Sequence, residues 1–420
     1  MHTPLTLPGH HEYLSDGWLD EALAFTSREV QRRGFHLAPC SISVCLENAP
    51  PHLGFANNLA SWTLRFSGQE VRVQRAFDPS ATQVIEGDYQ AALTQAQHIG
   101  ALIPGFVDSC NQELTHLFGR DALRVKGEVP HTSVRELLAL LHDHMGRRTV
   151  ENPDLEHRAN RLGIAHKVRE MEEQGFTILE RAITPEFADE VRAATLGALL
   201  PHNAVQLQWM LYHGRAFERL VQNPRLMTLI DVSLGRGAVI ASLSSIRKGT
   251  GPGFIPLHSD YSMVPEPYPE FAMTGVGVWA LEDWTLRSGP TWIVPRSHLW
   301  RRGPQPGENV EGGIPIEMPK GSVVFFTHGV WHWQGDRTDP GERVTLHTHF
   351  NRGILRGLEP KKIDVQMLHR NAPRLGEMLG EDDWFDKLTA EGRDHTRAAY
   401  MPRLHHFSER AKARLMEATS

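Results

Sequence analysis

The sequence predicts an α+β chain in which a smaller N-terminal α+β domain precedes a mainly β domain with flanking helices. Three observations carry this. At 420 residues and 47.3 kDa the chain exceeds what one hydrophobic core usually supports, which favours two domains. From about residue 238, short β-rich runs follow one another, broken by glycine and proline: "AVIASLSSI", "TGVGVWAL", "PTWIVP", "GSVVFFTH" and "RVTLHTHF". Their spacing suggests an antiparallel barrel or sandwich. Between the two parts, "RRTVENPDLEHR" (147–158) is charged, carries a proline and lacks periodicity. We therefore expect a first domain over 1–148, a linker over 149–162 and a second domain over 163–420.

The elements follow in order. Over 58–88, Trp62, Leu64 and Phe66 alternate with polar residues, Ser67-Gly68 turns the chain, and Val71 and Val73 resume the period of two, so a hairpin is expected. A helix follows in "DYQAALTQAQHIG" with Asp88 as N-cap. Another is expected in "SVRELLALLHDHMG", with Ser133 and Glu136 as a capping box and Gly146 as its stop. Thr184-Pro185 starts a helix into "EFADEVRAATLGALL". After the β-rich region, charged helical patterns beyond about 357 suggest a helical cover over one end of the barrel.

Composition narrows the function classes. A net charge of −6 with a pI near 6.5 gives no general attraction to phosphate backbones or anionic lipid, so nucleic acid is not an expected partner. The start, "MHTPLTLPGHHEYLSDGWLD", has no basic or apolar leader region, and no eighteen apolar residues run together. Neither an export signal nor a membrane span is expected. Cys40, Cys45 and Cys110 are too few and too irregular for a disulfide framework, which suits a reducing cytoplasm.

The chemistry concentrates around "GFIPLHSDYS" (253–262). With 24 histidines and 50 acidic residues, about three His-x-Asp/Glu triplets are expected by chance. Two occur, His10-His11-Glu12 and His258-Ser259-Asp260, so the triplet means little without its surroundings. In a strand, residues i and i+2 point the same way, so His258 and Asp260 present an imidazole and a carboxylate to one face. A third ligand would come from His328, His332, His347 or His349. In "ERVTLHTHF", Val344, Leu346 and Phe350 share one face and Arg343, Thr345, His347 and His349 the other. The Asp339-Pro340-Gly341 turn suggests a hairpin that sets His332 across from Arg343. Two histidines and one carboxylate leave three octahedral positions open, the facial arrangement of mononuclear non-haem Fe(II) oxygenases. A bidentate 2-oxo acid takes two and dioxygen the third. A planar guanidinium pairs well with the distal carboxylate of 2-oxoglutarate.

"IPLHSDYS", "VGVWALEDWTLRSGPTWIVPRSH", "GSVVFFTHGVWHWQG" and "ERVTLHTHF" together resemble the phytanoyl-CoA dioxygenase family of Fe(II)/2-oxoglutarate oxygenases over residues 165–355. The resemblance implies a double-stranded β-helix (jelly-roll, cupin-like) barrel. It implies that His258, Asp260 and His332 hold the iron, that Arg343 anchors 2-oxoglutarate, and that Trp279 lines the co-substrate pocket. Ser297-His298 closes a turn where Arg296 replaces the family's glycine. Trp333-Gln334 stands where small residues are commoner, which shifts an expected contact to 2-oxoglutarate onto Gln334 or Thr345. The implied reaction uses O2, releases succinate and CO2, and oxidises a C–H bond of a small-molecule substrate. Because Asp260 occupies the position that halogenating relatives leave empty, hydroxylation or another oxidation is expected.

"WTLRFSGQEVRVQRA", "ATQVIEGDYQAALTQA" and "LRVKGEVPHTSVRELLALLHDHM" resemble sterol-carrier-protein domains, which implies an apolar tunnel and an apolar or carrier-linked substrate. Two alternatives stand beside the oxygenase reading: a cupin-like metal-binding isomerase or hydrolase that does not use 2-oxoglutarate, and a non-catalytic lipid-binding protein. Neither the primary substrate nor the oligomeric state is readable from these residues.

Overall fold

The computed structural model of the chain describes residues 9–417 except 262, 309, 328, 358–363, 381–387, 390–391 and 394–400. The chain divides into two compact units, Met1–Leu162 with Ile363–Gly376, and Gly163–Lys362 with Glu377–Ser420.

In the first unit, strands β1 (Leu37–Glu47), β2 (Ala60–Gly68), β3 (Glu70–Gln74), β4 (Gln83–Asp88) and β5 (Leu123–Gly127) form one sheet in the order β3-β2-β1-β4-β5. Its neighbours are antiparallel except β1 and β4. The expected hairpin is β2–β3, with Leu64 opposite Val73 and Phe66 opposite Val71. Helices α1 (Asp16–Arg33), α2 (Tyr89–Ala96), α3 (Phe106–Phe118), α4 (Thr132–Gly146) and α5 (Leu155–Arg161) complete the unit. Trp18, Val30, Leu37, Leu46, Leu64, Leu93 and Leu137 belong to one buried core.

Two expectations need correction here. The Asp88 carboxylate does cap α2, accepting from the backbone N–H groups of Gln90 and Ala91. The start of α4, however, is capped by His131, whose Nδ1 accepts from Ser133 N–H at 3.3 Å. The Ser133/Glu136 pair is therefore not a capping box, and Glu136 instead lies 3.4 Å from Arg33. Gly146 is the last residue of α4 and Arg147 its C-cap; close packing accounts for the glycine, since an added Cβ would stand 2.9 Å from Ile99 and 3.0 Å from the Ala96 carbonyl. The stretch expected as a linker carries a strand and a helix. Thr149–Val150 pairs with His11–Glu12, and α5 begins at the Asp154 cap. Its charge is largely internal, since buried Arg158 meets Glu151 at 2.8 Å. Charge density signals solvent only when the charges lack partners.

The second unit is a sheet-rich α+β fold. Strands β6 (Phe176–Leu179), β7 (Gln206–Leu207), β8 (Val239–Gly251), β9 (Thr274–Ala280), β10 (Thr291–Ile293), β11 (Ile314–Pro315), β12 (Val323–Thr327), β13 (His332–Gln334) and β14 (Arg337–Asn351) make two sheets. The larger has the order β6-β12-β9-β14-β8-β7 and the smaller β11-β10-β13, with every pairing antiparallel. Val276, Val278 and Phe326 from the larger sheet and Ile293 from the smaller share one buried cluster with Trp284, Ile316 and Met318. Helices α6 (Ala165–Gln174), α7 (Pro185–Leu199), α8 (Pro224–Leu234) and α9 (Met401–Glu417) flank the sheets. Thr184 caps α7 as its sequence implied, accepting from Phe187 N–H. C-terminal α9 packs on α6 and α8.

The expected β13–β14 hairpin is not formed. β13 pairs with β10 in the smaller sheet, whereas β14 lies between β8 and β9 in the larger one. Asp339-Pro340-Gly341 lies within the span of β14, where the β8 register shifts between Gly249 and Gly251 and Gly341 takes φ +80°. A proline can sit at such an irregularity because no ladder hydrogen bond is asked of it. Among the described residues, no helix is long and apolar enough to cross a membrane.

Candidate active site

Backbone pairing brings the two sequence-distant histidines together. Residues 253–258 run beside β13: Gln334 N–H donates to the Ile255 carbonyl at 3.1 Å, and His258 and His332 exchange both backbone hydrogen bonds at 3.0 and 2.9 Å. Directly opposed residues in an antiparallel pair share a face, so the imidazoles stand 4.1 Å apart between centroids. The approach is close enough to require glycine, because a Cβ on Gly253 would come within 1.9 Å of the Gln334 carbonyl oxygen. The Gln334 side chain adds a further clamp, its Oε1 accepting from Phe254 N–H at 3.1 Å.

The two rings are oriented alike. His258 Nδ1 lies 2.9 Å from the Pro256 carbonyl and His332 Nδ1 lies 3.0 Å from the Val330 carbonyl. A carbonyl only accepts, so each Nδ1 carries the proton and each Nε2 presents a lone pair. Both Nε2 atoms face Asp260 Oδ1, at 3.7 Å from His258 and 3.9 Å from His332. All three donor atoms lie within 4.8 Å of one another. Cis ligands in an octahedron with bonds of about 2.1 Å stand roughly 3 Å apart, so one ion can bridge the set. Hydrogen-bonded second nitrogens are what metal-binding histidines ordinarily have.

Electrostatics favours the ligand forms. Burial works to raise the Asp260 pKa, but the imidazoles of His332, His349, His258 and His347 together outweigh it and hold the carboxyl below its ordinary value. Burial drives His332 down to about 4 against the pull of Asp260. It drives His347 to about 3, helped by His349 and Arg343, and lowers His349 too. A metal ligand must be a carboxylate or a neutral imidazole, and these shifts favour those forms at Asp260 and His332.

The donors open into a cavity of about 180 Å³ that is also lined by Arg343, His347, His349 and Gln334. Arg343 comes from β14, where it pairs with Lys248. It is 2% exposed, and its Nε and Nη1 are buried without a hydrogen-bond partner. Burial lowers its pKa to about 10, with Glu282 opposing the shift, so it remains a cation. A desolvated guanidinium with unused donors is costly unless an anion completes it.

The site residues expected from sequence thus separate. His258, Asp260, His332, Arg343 and Gln334 line one cavity. Thr345 lies on the Arg343 side of β14, where its hydroxyl is 3.0 Å from His347 Nε2. Trp279 requires correction. It stands opposite Leu346 and Val323, on the other face of the sheet from Arg343. That face packs on α8, where a Cβ on the neighbouring Gly277 would touch Leu226. The tryptophan beside the arginine is Trp284, whose ring centroid lies 4.7 Å from the Arg343 guanidinium carbon. Sequence reasoning missed it because β9 ends at Ala280, and strand parity says nothing beyond a strand end. His328 lies outside the described residues.

Several known proteins are similar to parts of this chain. "Dioxygenase af480" of Aspergillus fumigatus is 26% identical over 165 residues, covering 38% of this chain and 53% of that protein. "Uncharacterized protein Rv1501" of Mycobacterium tuberculosis is 23% identical over 190 residues, covering 43% of this chain and 65% of that protein. The chain therefore spans about half to two thirds of the length of these curated relatives. Among solved structures, HygX from Streptomyces hygroscopicus with nickel and 2-oxoglutarate bound aligns with a TM-score of 0.40 at 12% identity, covering 46% of this chain and 88% of that one. The family model of phytanoyl-CoA dioxygenase matches residues 123–343, from β5 of the first unit through Arg343. That is more than half of the 420 residues, and the chain belongs to the phytanoyl-CoA dioxygenase family.

Proposed function

We propose that the chain is an Fe(II)- and 2-oxoglutarate-dependent dioxygenase that oxidises an aliphatic C–H bond of a small molecule, by hydroxylation, with release of succinate and CO2. We propose also that its two sheets form the double-stranded β-helix typical of such enzymes. The observation that carries the reading is one cavity holding both a convergent Nε2, Nε2 and Oδ1 donor set and a buried guanidinium with unused N–H groups.

Each residue then has a task. His258, Asp260 and His332 hold the iron, which when bound supplies the dioxygen chemistry that no side chain can perform. Arg343 receives the distal carboxylate of 2-oxoglutarate, and Trp284 supports the guanidinium through its ring face. Gln334 holds residues 253–258 against β13 through Oε1, leaving its amide nitrogen as a donor. The apolar side chains Val276, Val278 and Phe326 keep water from one wall. An isomerase or hydrolase without a dicarboxylate co-substrate gives this buried guanidinium no task.

Anaerobic Fe(II) with 2-oxoglutarate should give a weak visible charge-transfer band, and admitted oxygen should yield succinate. Iron binding with neither result would overturn the reading.

For the first unit, a cavity of about 270 Å³ lined by Trp18, Ile42, Val44, Leu64, Leu141 and Met145 supports a second reading, as a holder of an apolar ligand. Retention of a fluorescent fatty acyl probe by the full chain, lost in a Val44→Trp variant, would test it.

A further inference from the structure

The walls of the active-site cavity differ in chemistry. On the larger sheet, β9 and β12 present Val276, Val278 and Phe326 to it, while β8, β14 and β7 present Ser244, His347, His349 and Gln206. The second group is built by register: Ser244 stands opposite His347 on the paired strands, and Gln206 stands beside Ile246 at the edge strand. His347 and His349 are parallel within 19°, with centroids 6.4 Å apart. His347 Nε2 is engaged by Thr345. No side-chain hydrogen bond holds Ser244, His349 or Gln206 among the described residues. Gln206 is exposed and Ser244 is buried, and Ile246, which also lines the cavity, lies between them on β8, so polar groups dominate this wall without forming an unbroken strip.

Resting on the oxygenase reading above, we infer that the primary substrate presents an uncharged, hydroxyl-bearing face to Ser244, His349 and Gln206, and does not lay a hydrocarbon chain there. Covering buried polar groups with hydrocarbon leaves them unsatisfied, at a cost of about 1–3 kcal/mol each. On this wall the cost applies in full at buried Ser244, in part at half-buried His349 and little at exposed Gln206. A charged face finds no counter-charge there, because Arg343 is taken by the co-substrate and Asp260 by the metal. A hydroxyl both donates and accepts, which suits a serine, a carboxamide and a neutral imidazole alike. This separates the active site from the apolar or carrier-linked substrate that the first unit's sequence suggests.

The test uses the full chain loaded anaerobically with Fe(II) and 2-oxoglutarate, titrated with myo-inositol or methyl β-glucoside in one arm and with methyl octanoate in the other. The readouts are displacement of the charge-transfer band and equilibrium dialysis of radiolabelled probe. The polyols should displace the band and be retained. Ser244→Val and His349→Leu should each weaken that binding about tenfold, the loss of one good hydrogen bond, while Ser244→Thr and His349→Gln keep most of it. Methyl octanoate binding with polyols silent, silence in both arms, or polyol binding indifferent to these substitutions would overturn the inference. If no charge-transfer band forms before any probe is added, the oxygenase reading itself has failed, which separates the two.

Discussion

The two units each build a cavity against a sheet, and they fill it with opposite chemistry. That of the first unit is larger, about 270 against 180 Å³, and is bounded mostly by hydrocarbon, with His142 the one titratable imidazole among its lining residues. That of the second gathers three histidines, an aspartate and an arginine in addition to His258. Size therefore does not mark the reactive site. Convergence does: three metal-donor atoms within 4.8 Å and an arginine whose buried Nε and Nη1 find no hydrogen-bond partner in the protein. Unsatisfied polar groups are expensive, so a fold that keeps them points to what it binds.

The largest expected effect comes from removing the donor set. Asp260→Ala deletes a ligand outright. Loss of a group that merely orients a ligand costs 10–100-fold in metal affinity, so iron binding should weaken by more than about 100-fold and succinate formation should vanish. Nothing in the first unit should respond. Wild-type iron affinity in this variant, measured by competition with a chelator, would break the comparison at its centre.

Arg343→Ala comes next. Truncating one partner of a buried hydrogen-bonded charge pair costs about 2–5 kcal/mol, so the 2-oxoglutarate affinity should fall by roughly 30-fold or more while iron binding stays near normal. Arg343→Lys should recover only part, since an ammonium cannot reproduce the planar fork. Calorimetric titration of 2-oxoglutarate into the metal-loaded variants reads this directly. An unchanged dissociation constant would show that the anchor lies elsewhere.

A change in the first unit should reverse the pattern. Leu137 is fully buried in that unit's core, and truncating such a leucine to alanine costs about 2–5 kcal/mol. Leu137→Ala should lower the denaturant midpoint of the first unfolding transition and leave the Fe(II)·2-oxoglutarate band of the folded protein intact. A band that fades in step with the loss of stability would mean that the units do not divide structure and chemistry as proposed.

What the sequence revealed follows the same division. Strand parity placed Arg343, Thr345, His347 and His349 on one face because period-two alternation is a covalent property of an extended chain. The β2–β3 hairpin, the Asp88 cap and the Thr184 cap were legible for a similar reason, each being a contact within a few residues. Pairing partners were not legible. The Asp339-Pro340-Gly341 turn pointed to a β13–β14 hairpin, but whether two strands pair depends on which sheet buries each, and nothing local encodes that. Trp284 was hidden because it lies beyond the end of β9 at Ala280, where alternation no longer sets which way a side chain points. The His131 cap escaped because histidine is rare in that role, and the supposed linker because its charges found partners inside the unit.

Arg296 gives the smallest effect and the sharpest check on reasoning from resemblance. It stands where the family has glycine, and it adopts φ +65° and ψ 4°, the left-handed region that costs a side chain about 1–2 kcal/mol. Its backbone N–H still donates to the Gln174 carbonyl at 2.8 Å, so the turn is held despite the strain. Arg296→Gly should relieve that cost, less the extra entropy glycine brings to the unfolded chain, for a net gain below about 1 kcal/mol. Arg296→Ala removes the same side-chain atoms but keeps the Cβ, so it should bring no such gain. Urea midpoints for the pair separate backbone strain from side-chain contacts: equal shifts would show that the guanidinium, and not the backbone conformation, sets the stability of this turn.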